Sequence, residues 1–214
     1  MPHVSAESLA AQPLQKFLDD LASAEPAPGG GSVAALAGSL AASLVAMVCR
    51  LTIGRKGYEA VNVEMQSILP RAESLQQELR DLIQADIDAY ARVMECYKLP
   101  KETDAEKAAR TQAIQDALKH ASEVPMRVAE YCSDVLDMAR IVAEKGNKNA
   151  ASDGAVGALM AQAGLRGAAF NVSINLGGIK DESFVKEHRA RVDELVASTE
   201  KSKNEILAIV ETRL

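Results

Sequence analysis

Asp86 is the one carboxylate on an otherwise apolar helical line made by Leu75, Leu79, Leu82, Ile83, Tyr90, Val93 and Tyr97. An inward carboxylate loses hydration and stays ionised only where a cation or several donors compensate. Such a group suits chemistry that holds a cationic ligand or moves a proton. Asp81, Gln84, Asp88, Arg92 and Glu95 fall on the opposite, solvated face. The competing reading is a core carboxylate satisfied by hydrogen bonds, and the spacing alone leaves both open.

Three further groups of residues carry polar chemistry. Gly29, Gly30 and Gly31 follow Ala27-Pro28 and run into Ser32. Consecutive glycines let a backbone approach another group closely, and Ser32 is placed to cap the helix that follows, whose free amides make an anion site. The stretch is neither a Walker loop nor a dinucleotide fingerprint, because the later Gly-Lys or third spaced Gly is missing, and a nucleotide enzyme is disfavoured. Arg50, Arg55 and Lys56 form the densest basic spot near this hinge, either an anion receiver or a solvated loop. Next comes Gly146-Asn147-Lys148-Asn149-Ala150-Ala151-Ser152-Asp153, with Ser152 or Asp153 as a helix cap. Finally, Asn171 and Asn175 stand one turn apart in an apolar sequence. Their amides share a face and demand partners, from neighbouring helices or from a ligand.

Long helices must position these groups. The 214 residues are 48% hydrophobic but only 3% aromatic, with no Trp, and Ala and Leu dominate. That composition predicts an all-α fold: one domain over 1–214, loose over 1–12, built as an antiparallel bundle of long helices around a buried Ala/Gly/Leu-rich central helix. The uncharged run from Val33 to Cys49 is that helix, with Leu36, Leu40 and Leu44 on one line and Ala37, Gly38, Ala41 and Ser43 elsewhere, so burial on all sides is expected. Its length approaches a membrane span, but Ala, Ser and Gly rather than Leu, Ile and Phe argue against insertion. Around it, Pro13 opens a short helix through Ala24, and a helix from Tyr58 to Tyr97 bends or breaks at Pro70. Thr103-Asp104-Ala105-Glu106 is a capping box for a long helix that Pro125 kinks or divides and Gly146 stops. From Asp181 to Thr212, Val185, Val192, Thr199 and Ile206, and likewise His188, Leu195, Ser202 and Ile209, repeat every seven residues. That seam meets either this subunit or a second one.

The net charge of −6 gives no general attraction to nucleic acid or anionic lipid. Cys49, Cys96 and Cys132 are odd in number and lie in apolar patterns, as buried free thiols of a reducing cytoplasm would. No secretory signal is visible, and His3, His120 and His188 lack metal-ligand spacing, so neither metal nor cofactor is expected.

Taken together and in order, Ala27-Pro28-Gly29-Gly30-Gly31-Ser32-Val33-Ala34-Ala35, Asp86-Ile87-Asp88-Ala89-Tyr90, the 146–153 run, and Phe170-Asn171-Val172-Ser173-Ile174-Asn175-Leu176 closely resemble the cyclodeaminase/cyclohydrolase family. The resemblance spans about Leu14 to Leu214. It implies an all-helical homodimer with a folate site near the dimer interface. Carried over residue by residue, it makes Asp86 and Asp153 the catalytic carboxylates. Gly29, Gly30, Gly31, Ser32, Tyr90, Asn147, Asn149, Ser152, Asn171 and Asn175 are then substrate-binding. Arg50, Arg55 and Lys56 would receive the anionic glutamate tail. Lys148 falls at a variable position.

Two reactions fit this resemblance. A cyclohydrolase adds water to the methenyl carbon of 5,10-methenyltetrahydrofolate and yields 10-formyltetrahydrofolate. A cyclodeaminase lets N10 attack the formimino carbon of 5-formiminotetrahydrofolate and expels ammonia. Both pass through a tetrahedral carbon between N5 and N10, and a buried carboxylate serves either. A chain of 214 residues has no room for an attached formiminotransferase, which favours the cyclohydrolase. A non-enzymatic helical scaffold would explain the seam and the small-residue helices, but not Asp86 on an apolar line.

Overall fold

A computed structural model of the chain describes residues 12–214; the loose N-terminal stretch expected over 1–12 falls almost wholly outside them. The described residues form six α-helices joined by short links, with no strand: α1 (Leu14–Leu21), α2 (Gly30–Thr52), α3 (Asn62–Tyr97), α4 (Asp104–Lys145), α5 (Ala151–Leu176) and α6 (Glu182–Glu211). The contacts fix how they run. Ser39 on α2 donates to the Gln76 carbonyl of α3, while Gly54, just past the end of α2, donates to Asn62 at the start of α3. The two helices are therefore antiparallel. Gly157 lies against Leu44 and Gly164 against Ala34, which makes α5 antiparallel to α2 as well. Lys145 pairs with Glu64, and Arg71 with Asp134, so α4 runs back along α3.

Small residues set the spacing. A Cβ added to Gly164 would lie 2.9 Å from the Ala34 carbonyl oxygen and from Cys132 Sγ. One on Gly38 would lie 2.6 Å from the same sulfur. Three helices therefore meet almost backbone to backbone, and larger side chains are excluded from that side. Burial pushes the Cys132 thiol up to about 12.

This packing alters the expected picture of α2. Ala34, Ala35, Ala37, Gly38, Ala41, Ala42, Val45 and Ala46 are buried, yet the leucine line faces outward. Leu40 is 46% exposed, Val33 and Leu51 are exposed, and Leu36, Leu44 and Met47 are half-buried. The helix is thus not buried all round, because its thin side fits a tight three-helix contact that leucine cannot enter. By length and composition α2 would also cross a membrane; 67% of that stretch is covered by the rest of the chain.

Other boundaries differ for local reasons. α1 ends at Leu21 and buries only Phe17, leaving Leu14 and Leu18 exposed. Pro70 and Pro125 lie inside continuous helices of 36 and 42 residues, so neither divides its helix. Flanking turns packed on both sides hold a helix across one missing N–H. The capping box forms as expected: Glu106 N–H donates to Thr103 Oγ1, and the Glu106 carboxylate accepts from Thr103 N–H. The seven-residue seam of α6 buries Val192, Leu195, Thr199 and Ile206 against α4 and α5 of the same chain. It therefore meets this subunit.

Candidate active site

The start of α2 abuts the middle of α3. Gly29 is the N-cap of α2 and offers no side chain, and Ser32 is a fully buried residue of the first turn rather than the expected cap. The capping group comes from the other helix. Asp86 accepts hydrogen bonds from the Ser32 backbone N–H and from Ser32 Oγ, the latter at 3.0 Å. Ser32 Oγ also lies 3.3 Å from the Ile83 carbonyl oxygen. Gly31 makes this approach possible, since a Cβ there would fall inside the carboxyl group, 2.5 Å from Asp86 Cγ. Burial pushes the Asp86 carboxyl above its ordinary 3.8, and the two Ser32 donors only partly pull it back.

Asp86 lies at the wall of a cavity of about 250 Å³. Pro26, Ala27 and the three glycines form one side, with Ala89, Tyr90 and Val93 of α3 on another. Ala121 of α4 and Asn171, Ile174 and Asn175 of α5 complete it. The amides of Asn171 and Asn175 donate to the Gly167 carbonyl at 2.9 Å and the Ala121 carbonyl at 2.7 Å. Those bonds orient each amide and leave its Oδ1 to accept from a bound donor. No lysine, arginine or histidine lines the cavity, so the carboxylate has no counter-cation from the described residues there. Its volume falls below the usual range of about 300–1,000 Å³ for small-molecule sites, which suits a bicyclic ring system but not a long appended tail.

The remaining candidate residues lie elsewhere. Asn147 is buried beside the C-terminal end of α2: its Nδ2 donates to the Leu51 carbonyl at 3.0 Å, and its N–H to Thr52 Oγ1 at 2.9 Å. Its Oδ1 accepts from Asn149 N–H, so it splices α2 to the turn that opens α5. Asn149 and Ser152 are exposed there and Asp153 is half-buried; Ala150 is the N-cap of α5, so neither Ser152 nor Asp153 caps it. Arg50 pairs with Glu73, and Arg55 and Lys56 line a separate shallow hollow with Gly54, Glu59 and Asn62. A helix of 23 residues is roughly 34 Å long, so within one chain these groups and Asp86 occupy opposite ends of α2. Among the described residues, no three His, Cys, Asp or Glu side chains gather as a metal site.

Spacing singled out Asp86, Asn171, Asn175 and the glycines, and the family resemblance added Tyr90; the fold brings them to one cavity. Both missed Pro26, Ala27, Val93, Ala121 and Ile174 as walls. Ile174 had a signal, since it directly precedes Asn175 on an apolar segment. Ala121 had none, being an ordinary buried alanine of α4.

With this geometry in place, known proteins give context. Residues 13–194 match the family described as formiminotransferase-cyclodeaminase. The methenyltetrahydrofolate cyclohydrolase of Methylorubrum extorquens is 47% identical over 184 residues, covering 86% of this chain and 88% of that protein. The formimidoyltransferase-cyclodeaminase of Gallus gallus is 37% identical over 97% of this chain, which spans only 38% of that longer protein. The crystal structure of formiminotetrahydrofolate cyclodeaminase from Thermotoga maritima superposes with a TM-score of 0.85 at 35% identity, covering 94% of this chain and 97% of that one.

Proposed function

The chain belongs to the formiminotransferase-cyclodeaminase family, and from that premise we propose that it is a methenyltetrahydrofolate cyclohydrolase acting in one-carbon metabolism. The observation that carries the chemistry is Asp86: a desolvated carboxylate on a cavity that no cationic side chain lines among the described residues. The methenyl amidinium is a cation, and its arrival would offset that desolvation. Asn171 and Asn175 present acceptors to the N–H groups of a pterin, while Tyr90 forms part of the wall beside Asp86. Chain length does not choose between the two reactions, because the T. maritima cyclodeaminase has nearly the same extent. Identity does support the choice: 47% to the cyclohydrolase, against 35% to that cyclodeaminase. The deciding experiment supplies methenyltetrahydrofolate and 5-formiminotetrahydrofolate separately and follows methenyl absorbance and ammonia. Loss of the chromophore well above the buffer rate is expected. Ammonia release without cyclohydrolysis would select the cyclodeaminase, and inertness towards both would favour a scaffold.

The active form in this reading is a homodimer built on the leucine line of α2. Leaving Leu40 and its neighbours in water withholds about 1.5–3 kcal/mol for each large side chain that a partner would bury. A two-fold axis across this face, with the two α2 helices antiparallel, sets the hinge end of one copy beside the Asn149, Asp153, Arg55 and Lys56 end of the other. That arrangement supplies what one chain separates: a ring cavity and basic groups for an anionic tail. The reaction needs no metal, no membrane and no nucleic acid in this account. Three free buried cysteines support a reducing cytoplasmic setting.

A further inference from the structure

We propose that Ser32 is the positioning residue for Asp86, a buried hydroxyl that holds one carboxyl oxygen in place while the group gains and loses a proton within one turnover. The inference rests on the cyclohydrolase reading for its kinetic part only.

Ser32 is fully buried, does not line the cavity, and so cannot touch a substrate. It has one hydroxyl proton and two oxygens within reach: Asp86 Oδ2 at 3.0 Å and the Ile83 carbonyl at 3.3 Å. One proton cannot serve both. When Asp86 is ionised, the hydroxyl and the Ser32 N–H both donate to the carboxylate. When Asp86 is protonated, the new proton sits on the carboxyl oxygen that meets the substrate, and the Ser32 hydroxyl keeps donating to Oδ2, though less strongly than to the anion. The carboxyl group thus keeps a partner in both states with no heavy atom displaced, which keeps reorganisation small at a group that must act twice. Gly31 holds the geometry by leaving room for the carboxyl group against the first turn of α2.

The proton inventory of the hydrolysis needs such a group. As water adds to the methenyl carbon, a C–O bond forms, the C=N π pair moves to nitrogen, and Asp86 takes one water proton. As the adduct collapses, the C–N5 bond breaks with its pair on N5, and Asp86 returns that proton to N5. The second proton of the original water leaves to solvent as the formyl C=O forms, so one proton is released overall. Asp86 begins and ends ionised.

Among the described residues, no other charged side chain lines the cavity with Asp86 and Tyr90 is the one further titratable group there; α4 and α5 contribute Ala121, Ile174 and the neutral Asn171 and Asn175. A change at Ser32 is therefore read cleanly. The test combines two measurements on wild type, Ser32→Ala and Ser32→Cys. The first is a ¹³C carboxyl titration of the free protein, with the Asp86 signal assigned by its loss in Asp86→Asn. Removing the hydroxyl donor moves the Asp86 titration to higher pH. The second is kcat against pH. Ser32→Ala lowers kcat by roughly ten- to a hundredfold, the scale of one hydrogen bond to a charged group, with KM nearly unchanged and the acid limb displaced upward. In an Asp86→Asn background the same substitution changes kcat by less than about twofold, because it acts through the carboxylate. Ser32→Cys keeps the volume with a weak donor and replaces Ser32→Ala if the latter does not fold. An unmoved carboxyl titration overturns the proposal, as does an equal loss of kcat with and without Asp86. A wild type inert towards methenyltetrahydrofolate would defeat the cyclohydrolase reading instead, while the carboxyl titration would still decide the role of Ser32.

Discussion

At the scale of residues, a carboxylate is charged at neutral pH in an environment that disfavours the charge. With its native titration raised above 3.8, Asp86 binds a proton more tightly in the folded than in the unfolded chain. Its contribution to stability is therefore complete below the unfolded value and falls as pH rises through the native one. Asp86→Asn removes that penalty near pH 7 and keeps the shape, so we expect a melting temperature equal to or above wild type. Turnover should fall roughly 10²-fold or more, the usual scale for an acid-base group. Asp88→Asn, on the exposed face where Asp88 accepts from Gln84, is the control and should leave both quantities unchanged. Lower melting with near-normal turnover in Asp86→Asn would instead mark a structural carboxylate. The acid limb of kcat/KM, which reports the free enzyme, should likewise be displaced upward from that of an ordinary aspartate, as a pH series on wild type will measure. Activity should survive exhaustive chelation; a loss that zinc restored would refute a metal-free site. What spacing revealed here was a single charge on an apolar line. What it could not reveal was the reversal of roles at the hinge, where Ser32 does not cap its own helix and Asp86 caps it from another. That depends on the register of two antiparallel helices and on Gly31 having no side chain.

At the scale of elements, the glycines of α5 divide by what stands opposite them. A Cβ on Gly164 would lie 2.9 Å from the Ala34 carbonyl oxygen, backbone that cannot yield without moving α2. A Cβ on Gly157 would lie 3.5 Å from Leu44 Cβ and 3.6 Å from the Ala41 carbonyl oxygen, ordinary contact distances. Alanine gains about 1 kcal/mol over glycine in a helix interior, while overpacking costs typically about 1–3 kcal/mol. Gly157→Ala should therefore be neutral to stabilising, and Gly164→Ala destabilising, by chemical denaturation of both variants with unchanged m-values. Equal effects would show that close approach does not set the spacing. Helix existence and type were legible from periodicity and the capping box, because those signals are local. Pro70 and Pro125 each left a bend or a break open, and the structure excludes the break, since whether a helix continues past a missing N–H depends on neighbours packed along it. The leucine line of α2 misled: apolarity on every face says nothing about which face is too thick to enter the core.

At the scale of the whole molecule, the placement of candidate groups at both ends of α2 is the central fact. Seven candidates, Arg50, Arg55, Lys56, Asn147, Asn149, Ser152 and Asp153, lie a helix length from Asp86, and neither composition nor motif order could disclose that separation. The seam of α6, the one spacing in the sequence that pointed to an interface, packs Val192, Leu195, Thr199 and Ile206 within the chain and leaves Val185, His188, Ser202 and Ile209 half-buried. The exposed line of Val33, Leu40 and Leu51 takes its place as the proposed dimer face. Leu40→Glu puts two like charges close to a two-fold axis on that face, so sedimentation at micromolar concentration should show a monomer that retains helical circular dichroism and has lost most of its activity. A dimer unaffected by Leu40→Glu would move the interface elsewhere. The shared site itself is tested by mixing two inactive chains, Asp86→Asn and Asp153→Asn. If each site takes Asp86 from one copy and Asp153 from the other, a mixed dimer carries one site with both substitutions and one with neither. Half the dimers in an equimolar, re-equilibrated mixture are mixed, so activity should return to about a quarter of wild type. If each chain held a complete site, every site in the mixture would carry one substitution and no activity would return.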